Sequence, residues 1–243
     1  MIYLSWKPVG VTSINFIKKN FNFTKSTCSG KLDPLARGFI HILTDNDTKL
    51  MSYFMTLNKI YRFNLILGIE TISHDPLSSI LQLNDTSHLN IDNVLQDLHF
   101  FIRSYSVQTI PLVSSYIYKY NNIKKPLWWY YKNNYTNLSL PFKQVSIINY
   151  NIFKPKYIKL KTLSKNILFN LNKVQKYSPD INSDDFILQW SNLKSLSPNL
   201  KFIVIPLELH VSSGFYIRQF CHDFGKFINS CAIANNITRI KII

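Results

Sequence analysis

The sequence predicts an α+β protein with a mixed sheet, and three observations lead to this fold class. Residues 59–67 alternate between apolar and polar side chains, as a strand with one buried face does. Residues 217–228 instead carry apolar side chains at intervals of three and four, which is typical of an amphipathic helix. Strand and helix patterns are interspersed along the chain without the regular strand–helix–strand rhythm of a parallel sheet.

The elements of the first third follow in chain order. Residues 1–13 predict a short strand that enters a Pro/Gly turn, with Ser13 as a candidate cap for the amphipathic stretch INFIKKNF. The stretch GFIHILT, residues 38–44, has the continuous apolar character of a buried strand. Thr48 is a candidate cap for a short helix over KLMSYFM. The strand at residues 59–67 comes next.

The remaining elements are predicted with one gap. Residues 91–103 have helical periodicity, and residues 145–153 and 207–211 have the pattern of strands. Residues 154–200 are rich in Lys, Asn and Ser with weak periodicity, so we predict a low-complexity insertion there. The chain has no internal repeat and no Pro/Gly-rich linker, so residues 1–243 are predicted to form a single domain.

Charge and composition narrow the function classes. The 243 residues carry 28 Lys and Arg against 13 Asp and Glu, a formal net charge of +15, which attracts polyanions such as nucleic acid. AT-rich codons also encode Lys and Asn, so part of this charge has a second explanation. No apolar run is long enough for a membrane span, and the N-terminus lacks the pattern of a signal peptide. We therefore expect a cytoplasmic protein without a membrane partner.

Cysteine and histidine usage points away from disulfide and metal chemistry. Cys28, Cys221 and Cys231 form no C-x-x-C pair, and an odd number of cysteines argues against a disulfide framework. The six histidines are scattered and none pairs with another ligand at metal-binding spacing. We expect no metal site.

One short stretch, SGKLDPLARG at residues 29–38, admits two interpretations. Asp33 before a proline is an ordinary way to begin a helix, because Asp caps free amides and Pro fits the first helical position. Asp33 is also an isolated carboxylate in a strongly basic chain, which makes it a candidate nucleophile.

Two other residues carry similar pairs of interpretations. Arg218 lies in the first turn of a predicted helix, where a cation opposes the helix dipole, and it is either a solvent-facing arginine or a functional one. Tyr61 lies on the apolar face of its strand, as a core tyrosine would. Brought together with Asp33, they would form a carboxylate beside a cation and a flat ring, which suits a nucleobase removed from its stack.

The three residues belong to a series of short sequence blocks, and these blocks decide between the interpretations. These blocks resemble the motifs of TruB-type pseudouridine synthases, which make pseudouridine 55 in the T loop of tRNA. The blocks are KPVGVTS (7–13), SGKLDPLARG (29–38), Thr48-Lys49, KIYRFNLILGIETISHD (59–75), QTIP (108–111), KPLWWYYK (125–132) and SGFYIRQFCHDFG (213–225).

The resemblance implies a fold, a reaction and a set of catalytic residues. The fold would be the pseudouridine synthase catalytic fold, a mixed, mostly antiparallel central sheet flanked by helices. Asp33 falls on the nucleophile, Tyr61 on the ring that stacks against the base, and Arg218 on the partner of the catalytic carboxylate. Tyr216 and Ile237 fall on residues of the pocket around the base. The reaction is an isomerisation that needs no metal or cofactor.

The resemblance also implies contacts with RNA. Lys7, Lys49 and the aromatic-basic segment 116–135 would contact the RNA backbone and T loop, although biased composition explains the last segment equally well. Cys28-Ser29 replaces the His-Thr of the family motif, so Cys28 is expected at the position that helps to open the T loop. The chain stops at Ile243, where the family's catalytic domain ends, so we expect a short form without the C-terminal PUA-type domain.

The resemblance therefore implies a tRNA pseudouridine(55) synthase that acts on the T arm, and we expect a monomer without a protein partner. Two alternatives remain. One is a non-catalytic protein on the same scaffold that binds tRNA or helps it fold. The other is a pseudouridine synthase that acts on another RNA.

Overall fold

The strand predicted at residues 59–67 lies near the centre of the main sheet. The structure is a computed structural model that describes residues 1–135 and 138–243. Numbered in chain order, its strands are β1 (Ile2–Lys7), β2 (Ser26–Ser29), β3 (Arg37–Thr44), β4 (Lys59–Leu67), β5 (Ile69–Thr71), β6 (Ile80–Leu83), β7 (Val107–Thr109), β8 (Ile117–Tyr120), β9 (Ile123–Pro126), β10 (Phe142–Gln144), β11 (Ile147–Ile152), β12 (Lys156–Lys159), β13 (Lys201–Val211) and β14 (Ala232–Ile242).

Helices flank this sheet. They are α1 (Ser13–Asn20), α2 (Met51–Thr56), α3 (Ile91–Ser104), α4 (Leu127–Lys132), α5 (Leu160–Tyr177), α6 (Asp184–Leu196) and α7 (Ile217–Phe227). A short 3-10 helix, Asp45–Leu50, precedes α2. Within the described residues, no helix is both long enough and apolar enough to cross a membrane.

The main sheet has eight strands, in the order β1–β3–β14–β4–β13–β11, with β2 also paired to β3 and β12 to β13. Its pairings are antiparallel apart from the parallel pair β3–β14. A sheet of this kind with flanking helices confirms the predicted α+β class and its mostly antiparallel sheet.

The alternation of side chains along the central strands gives the sheet two apolar faces. On β4, Leu65 belongs to one core and its neighbour Ile66 to the other. The first core packs α3 and α7 against the sheet, including the aromatic contact between Phe101 and Phe220. The second core packs α5 and α6 on the opposite face. Tyr61 and Ile237, two residues predicted for the site, belong to the first core.

The segment predicted as a low-complexity insertion, residues 154–200, folds into β12, α5 and α6. Apolar side chains of α5 recur at intervals of three and four and are buried in the second core: Leu160, Leu163, Ile167, Leu171 and Val174. Trp190 of α6 is fully buried beside them. Most of the other positions of α5 are polar, with many Lys and Asn, and this composition hides the period in the sequence. That the segment is an insertion relative to the family stays a prediction, as does the single domain.

Two predicted helix caps are wrong. Thr12, not Ser13, caps α1, because the Thr12 hydroxyl accepts the backbone N–H of Asn15 at 3.0 Å. Thr48 lies inside the 3-10 helix, and its hydroxyl donates to the carbonyl of Asp45 at 2.7 Å. At α1, the adjacent Thr12 and Ser13 have similar capping chemistry, which made the boundary ambiguous in the sequence. At α2, the N-cap residue is Leu50, which makes no capping hydrogen bond through its side chain.

Candidate active site

A cavity of about 150 Å³ opens where the loop before β3, strands β4 and β14, and the start of α7 meet. It contains five of the residues predicted for the site: Asp33, Tyr61, Tyr216, Arg218 and Ile237. The rest of its lining consists of Gly30, Lys31, Leu32, Ala36, Met55, Lys59, Ser114, Ser115, Ser212, Gly214, Phe215, Ile217 and Arg239. Residues up to 209 positions apart in the chain, from Gly30 to Arg239, thus share one pocket.

Asp33 lies in a turn rather than at the start of a helix. The backbone N–H of Ala36 donates to the carbonyl of Asp33 at 3.0 Å, and strand β3 begins at Arg37. The interpretation of Asp33 as a helix cap is therefore wrong. Its side chain is 44% exposed and faces the pocket.

The segment 7–13 holds this turn in place. Three hydrogen bonds connect them: Lys7 Nζ to Ala36 O at 2.7 Å, Gly10 N to Pro34 O at 2.9 Å, and Leu32 N to Ser13 Oγ at 2.8 Å. Two of these bonds involve backbone groups of the residues that flank Asp33 directly. The position of the carboxylate is consequently fixed from both sides.

Lys7 does not fit the RNA-backbone contact that the resemblance implies. Its side chain is fully buried, and its ammonium donates to the carbonyls of Ala36 and Pro8. Burial lowers the pKa of Lys7 to about 7, even though the negative charge of Asp33 opposes this change. An ammonium enclosed in this way connects two stretches of backbone and is not available to a phosphate at the surface.

Arg218 extends from the first turn of α7 and binds the catalytic candidate directly. Its Nε donates to Asp33 Oδ2 at 2.8 Å, and its side chain is only 3% exposed. The interpretation of Arg218 as a solvent-facing arginine is therefore wrong. Its two terminal nitrogens donate to the backbone carbonyls of Ser73 and, at 2.8 Å, Val113. Three acceptors from separate loops thus fix the guanidinium plane.

A second carboxylate, Asp75, lies on the other side of this arginine. Its Oδ2 is 3.6 Å from Arg218 Nε, and its Oδ1 accepts the hydroxyl of Ser73 at 2.6 Å. Burial raises the pKa of Asp75, against the lowering effect of Arg218. Burial also lowers the pKa of Arg218, but the charges of Asp33 and Asp75 outweigh it and raise the pKa overall. The sequence contained Asp75 in the block 59–75 but gave no reason to assign it a role.

Tyr61 and a residue that the sequence did not single out, Arg239, form the opposite wall. The Tyr61 hydroxyl accepts a hydrogen bond from Arg239 Nη1 at 3.3 Å, and the guanidinium carbon lies 5.9 Å from the ring centre. Arg239 also donates to the carbonyls of Phe39 and Gly30, each at 2.7 Å. No local pattern in the sequence distinguished Arg239 from the other basic residues of the chain.

Tyr216 and Ile237 complete the part of the pocket nearest Asp33. The side-chain amide of Gln108 holds the backbone of Tyr216 from both sides, accepting its N–H at 2.6 Å and donating to its carbonyl at 3.3 Å. Burial and the negative charge of Asp33 raise the pKa of Tyr216, so its phenol stays protonated. Ile237 lies at an irregular point of β14, where the register with β4 shifts between Asn235 and Thr238.

The other predicted substrate contacts lie outside the pocket. Cys28 is buried in the first core, and burial raises the pKa of its thiol. Lys49 is exposed on the 3-10 helix and is not one of the lining residues. The aromatic-basic segment 116–135 forms the hairpin β8–β9 followed by α4, and it exposes Trp128. Thr136 and Asn137, which follow it, lie outside the described residues.

This arrangement suits a planar ligand. A carboxylate held by a buried arginine can act as a nucleophile. The Tyr61 ring and the Ile237 side chain offer flat and apolar surfaces to a base. The pocket therefore has the elements needed to bind a flat ring and attack it.

Comparisons with known proteins agree with this chemistry. Residues 18–164 match the family described as "TruB family pseudouridylate synthase (N terminal domain)". The tRNA pseudouridine synthase B of Mycoplasma mobile is 30% identical over 245 residues, which cover 100% of this chain and 68% of that protein. The enzyme of the same name from Malacoplasma penetrans is 26% identical and is covered to 82%, and that from Syntrophotalea carbinolica is 26% identical and is covered to 61%.

Solved structures give the same fold. A Cbf5–Nop10–Gar1 complex contains a chain that superposes with a TM-score of 0.51 at 14% identity, covering 99% of this chain and 48% of that one. An H/ACA RNP bound to a substrate RNA containing 2′-deoxyuridine contains one with a TM-score of 0.50, also at 14% identity. The chain thus spans about half of the solved chains and roughly two thirds of the first two curated relatives.

Proposed function

The chain belongs to the TruB family of pseudouridylate synthases, and we propose that it isomerises uridine to pseudouridine at position 55 in the T loop of tRNA. The observation that carries this proposal is the pair Asp33–Arg218, in which a buried arginine holds a carboxylate inside a pocket that also contains Tyr61. The net charge of +15 supports a polyanionic substrate.

We assign the nucleophile to Asp33. Arg218 binds only Oδ2 of this carboxylate, and Oδ1 accepts no hydrogen bond from the described residues. One oxygen is therefore anchored while the other remains free to attack, which is the division that a fixed nucleophile requires.

The reaction conserves every atom of the nucleotide. A carboxylate oxygen of Asp33 attacks the uracil ring or the ribose C1′, and the bond between C1′ and N1 breaks. The uracil then rotates and C5 bonds to C1′. The proton on C5 leaves, N1 gains a proton, and the bond to Asp33 breaks, so the enzyme returns to its starting state. No external oxidant, reductant or co-reactant enters this balance.

The remaining pocket residues receive positioning and binding roles. Tyr61, which lines the pocket, is assigned to stack against the base, and its hydroxyl is the candidate group for proton transfer. Tyr216 and Ile237 enclose the base on the side of Asp33. Flipping a base costs a few kcal/mol, and the exposed aromatic and basic side chains of segment 116–135 are candidates to offset this cost by binding the T arm.

The test is pseudouridine mapping on tRNA after incubation with purified protein. We expect pseudouridine at position 55 with the wild type and none with Asp33→Asn. The matched control is Asp97→Asn, which removes an exposed carboxylate on α3 and should leave product formation unchanged. A protein that binds tRNA but forms no pseudouridine in any RNA would instead be a non-catalytic tRNA-binding protein. Product in another RNA only would contradict the assignment of position 55.

A further inference from the structure

Two buried cations lie side by side on the pocket wall formed by β4 and β14. Lys59 and Arg239 both line the cavity, and each is less than 5% exposed. A side-chain carbon placed on Gly30 would lie 2.9 Å from Arg239 Nη1 and 3.9 Å from Lys59 Cε. The two side chains therefore converge on the α-carbon of Gly30.

Within the part of the chain that the structure describes, neither cation has an anionic partner. No ion pair within 4.0 Å among the described residues includes Lys59 or Arg239. Their acceptors are neutral oxygens: Phe39 O, Gly30 O and the Tyr61 hydroxyl for Arg239, and Met55 O and Leu57 O for Lys59. A buried charge without a counter-charge is costly, so an anion that entered this part of the pocket would be strongly favoured.

The electrostatics of Lys59 point the same way. Burial, together with the positive charges of Arg239 and Lys143, lowers the pKa of Lys59 to about 8. An anion between Lys59 and Arg239 would relieve their repulsion and restore the charged form of the lysine.

Gly30 adds a third donor and the space to use it. Its backbone N–H points to the sulfur of Met55 at 3.0 Å, and a thioether is a weak acceptor that a stronger one can replace. Gly30 has a positive φ of 61° and carries no side chain that would block an approaching ligand.

We propose that Gly30, Lys59 and Arg239 form a subsite for a backbone phosphate of the substrate RNA, next to the nucleotide whose base enters the pocket. This inference rests on the proposed function in that it takes RNA as the ligand. A phosphodiester lies on either side of each nucleotide within an RNA chain. Its single negative charge offsets the positive charge of Lys59 and Arg239, and its free oxygens can accept hydrogen bonds from all three donors. The subsite anchors the backbone while the base reaches Asp33.

The test is a double-mutant cycle between the protein and the RNA. T-arm hairpins that carry an uncharged methylphosphonate on the 5′ or the 3′ side of the target uridine are titrated against wild type and Lys59→Met. With the wild type, one of the two replacements should weaken binding about tenfold, as expected for loss of a hydrogen bond between charged groups. With Lys59→Met, the same replacement should change the Kd less than about twofold.

A matched control and a salt titration separate this contact from general charge effects. Lys165→Met removes an exposed cation on α5, on the other face of the sheet, and should keep the full tenfold effect of the methylphosphonate. In Lys59→Met, the magnitude of the negative slope of log K against log salt concentration should decrease by about 0.7, the value for one phosphate contact in single-stranded RNA.

Each result decides the proposal. If neither methylphosphonate changes the Kd of the wild type more than about twofold, the subsite is refuted, whether or not Lys59→Met folds. Equal effects in wild type and Lys59→Met also refute it. Pseudouridine formation is measured in the same samples. If pseudouridine forms but the cycle shows no coupling between Lys59 and the phosphate, only the subsite is refuted. Coupling without product refutes only the reaction, and absence of RNA binding refutes both.

Discussion

Replacing Arg218 with methionine tests the electrostatic centre of the site. The substitution keeps an unbranched apolar chain but removes the cation between Asp33 and Asp75. It also leaves the carbonyls of Ser73 and Val113 without their donor.

The two carboxylates contribute unequally to the expected loss. Asp33 is 44% exposed, so water screens much of its interaction with Arg218. Asp75 is 6% exposed, and without Arg218 it would become a buried negative charge with no positive charge beside it. Breaking a buried ion pair in this way costs about 3–5 kcal/mol. We therefore expect the free energy of unfolding of Arg218→Met to fall by about this amount near pH 8.

The loss should depend on pH in a definite direction. Burial already raises the pKa of Asp75, and removal of Arg218 raises it further. A carboxyl group whose pKa is higher in the folded state than in the unfolded state stabilises the fold when protonated. The penalty of Arg218→Met should accordingly be full at pH 8 and shrink as the pH falls through the raised pKa of Asp75.

Urea unfolding at pH 8 and pH 5 measures both effects, with Arg62→Met as the matched control. Arg62 also binds a carboxylate, Glu208 at 2.6 Å, but its side chain is 60% exposed. Surface pairs contribute at most about 1 kcal/mol, so this control should lose little stability at either pH. A loss of less than about 1 kcal/mol in Arg218→Met, or a loss independent of pH, would refute the view that Arg218 compensates Asp75.

Three further substitutions test separate parts of the structure. Tyr61→Phe should change the free energy of unfolding by less than about 1 kcal/mol, because the Tyr61 hydroxyl makes only one long hydrogen bond, to Arg239. The same substitution should lower kcat about 100-fold. An unchanged rate in single-turnover kinetics would exclude proton transfer by Tyr61. Gly38→Ala should lower the free energy of unfolding by more than about 3 kcal/mol, because Gly38 has φ 127° and the added carbon would come within 2.6 Å of the Arg239 backbone nitrogen. A variant as stable as the wild type in thermal unfolding would contradict this geometry. Trp128→Ala should weaken tRNA binding about tenfold without loss of stability, since Trp128 is 44% exposed; unchanged affinity in a tRNA titration would remove α4 from the RNA-binding surface.

Elements with a strong local period were predictable from the sequence. The alternation at residues 59–67 and the helical spacing at residues 217–228 correspond to β4 and α7 within one residue at each end. The helix at residues 91–103 likewise corresponds to α3. Residues 154–200 were not predictable, because the period of α5 is carried by a few apolar side chains among many Lys and Asn.

Contacts between distant residues were harder to predict than elements. Asp33, Tyr61 and Arg218 could be proposed as neighbours only through a resemblance, since local patterns favoured other interpretations. Arg239 had no local signal, because its acceptor Tyr61 lies 178 positions away in the chain. Lys7 was assigned to the RNA through the resemblance, whereas its side chain is buried and donates to two backbone carbonyls.

The turn at Asp33 explains why the block 29–38 leads into a strand and not a helix. An Asp that caps a helix gives its side-chain oxygens to the free backbone N–H groups of the first turn. Such a carboxylate would have both its charge and its lone pairs occupied. In the turn observed here, Arg218 donates to one carboxylate oxygen, and no backbone N–H of the described residues donates to the other. Hydrogen bonds from the segment 7–13 fix the turn instead of a helix, so the carboxylate is held in position while one of its oxygens stays available.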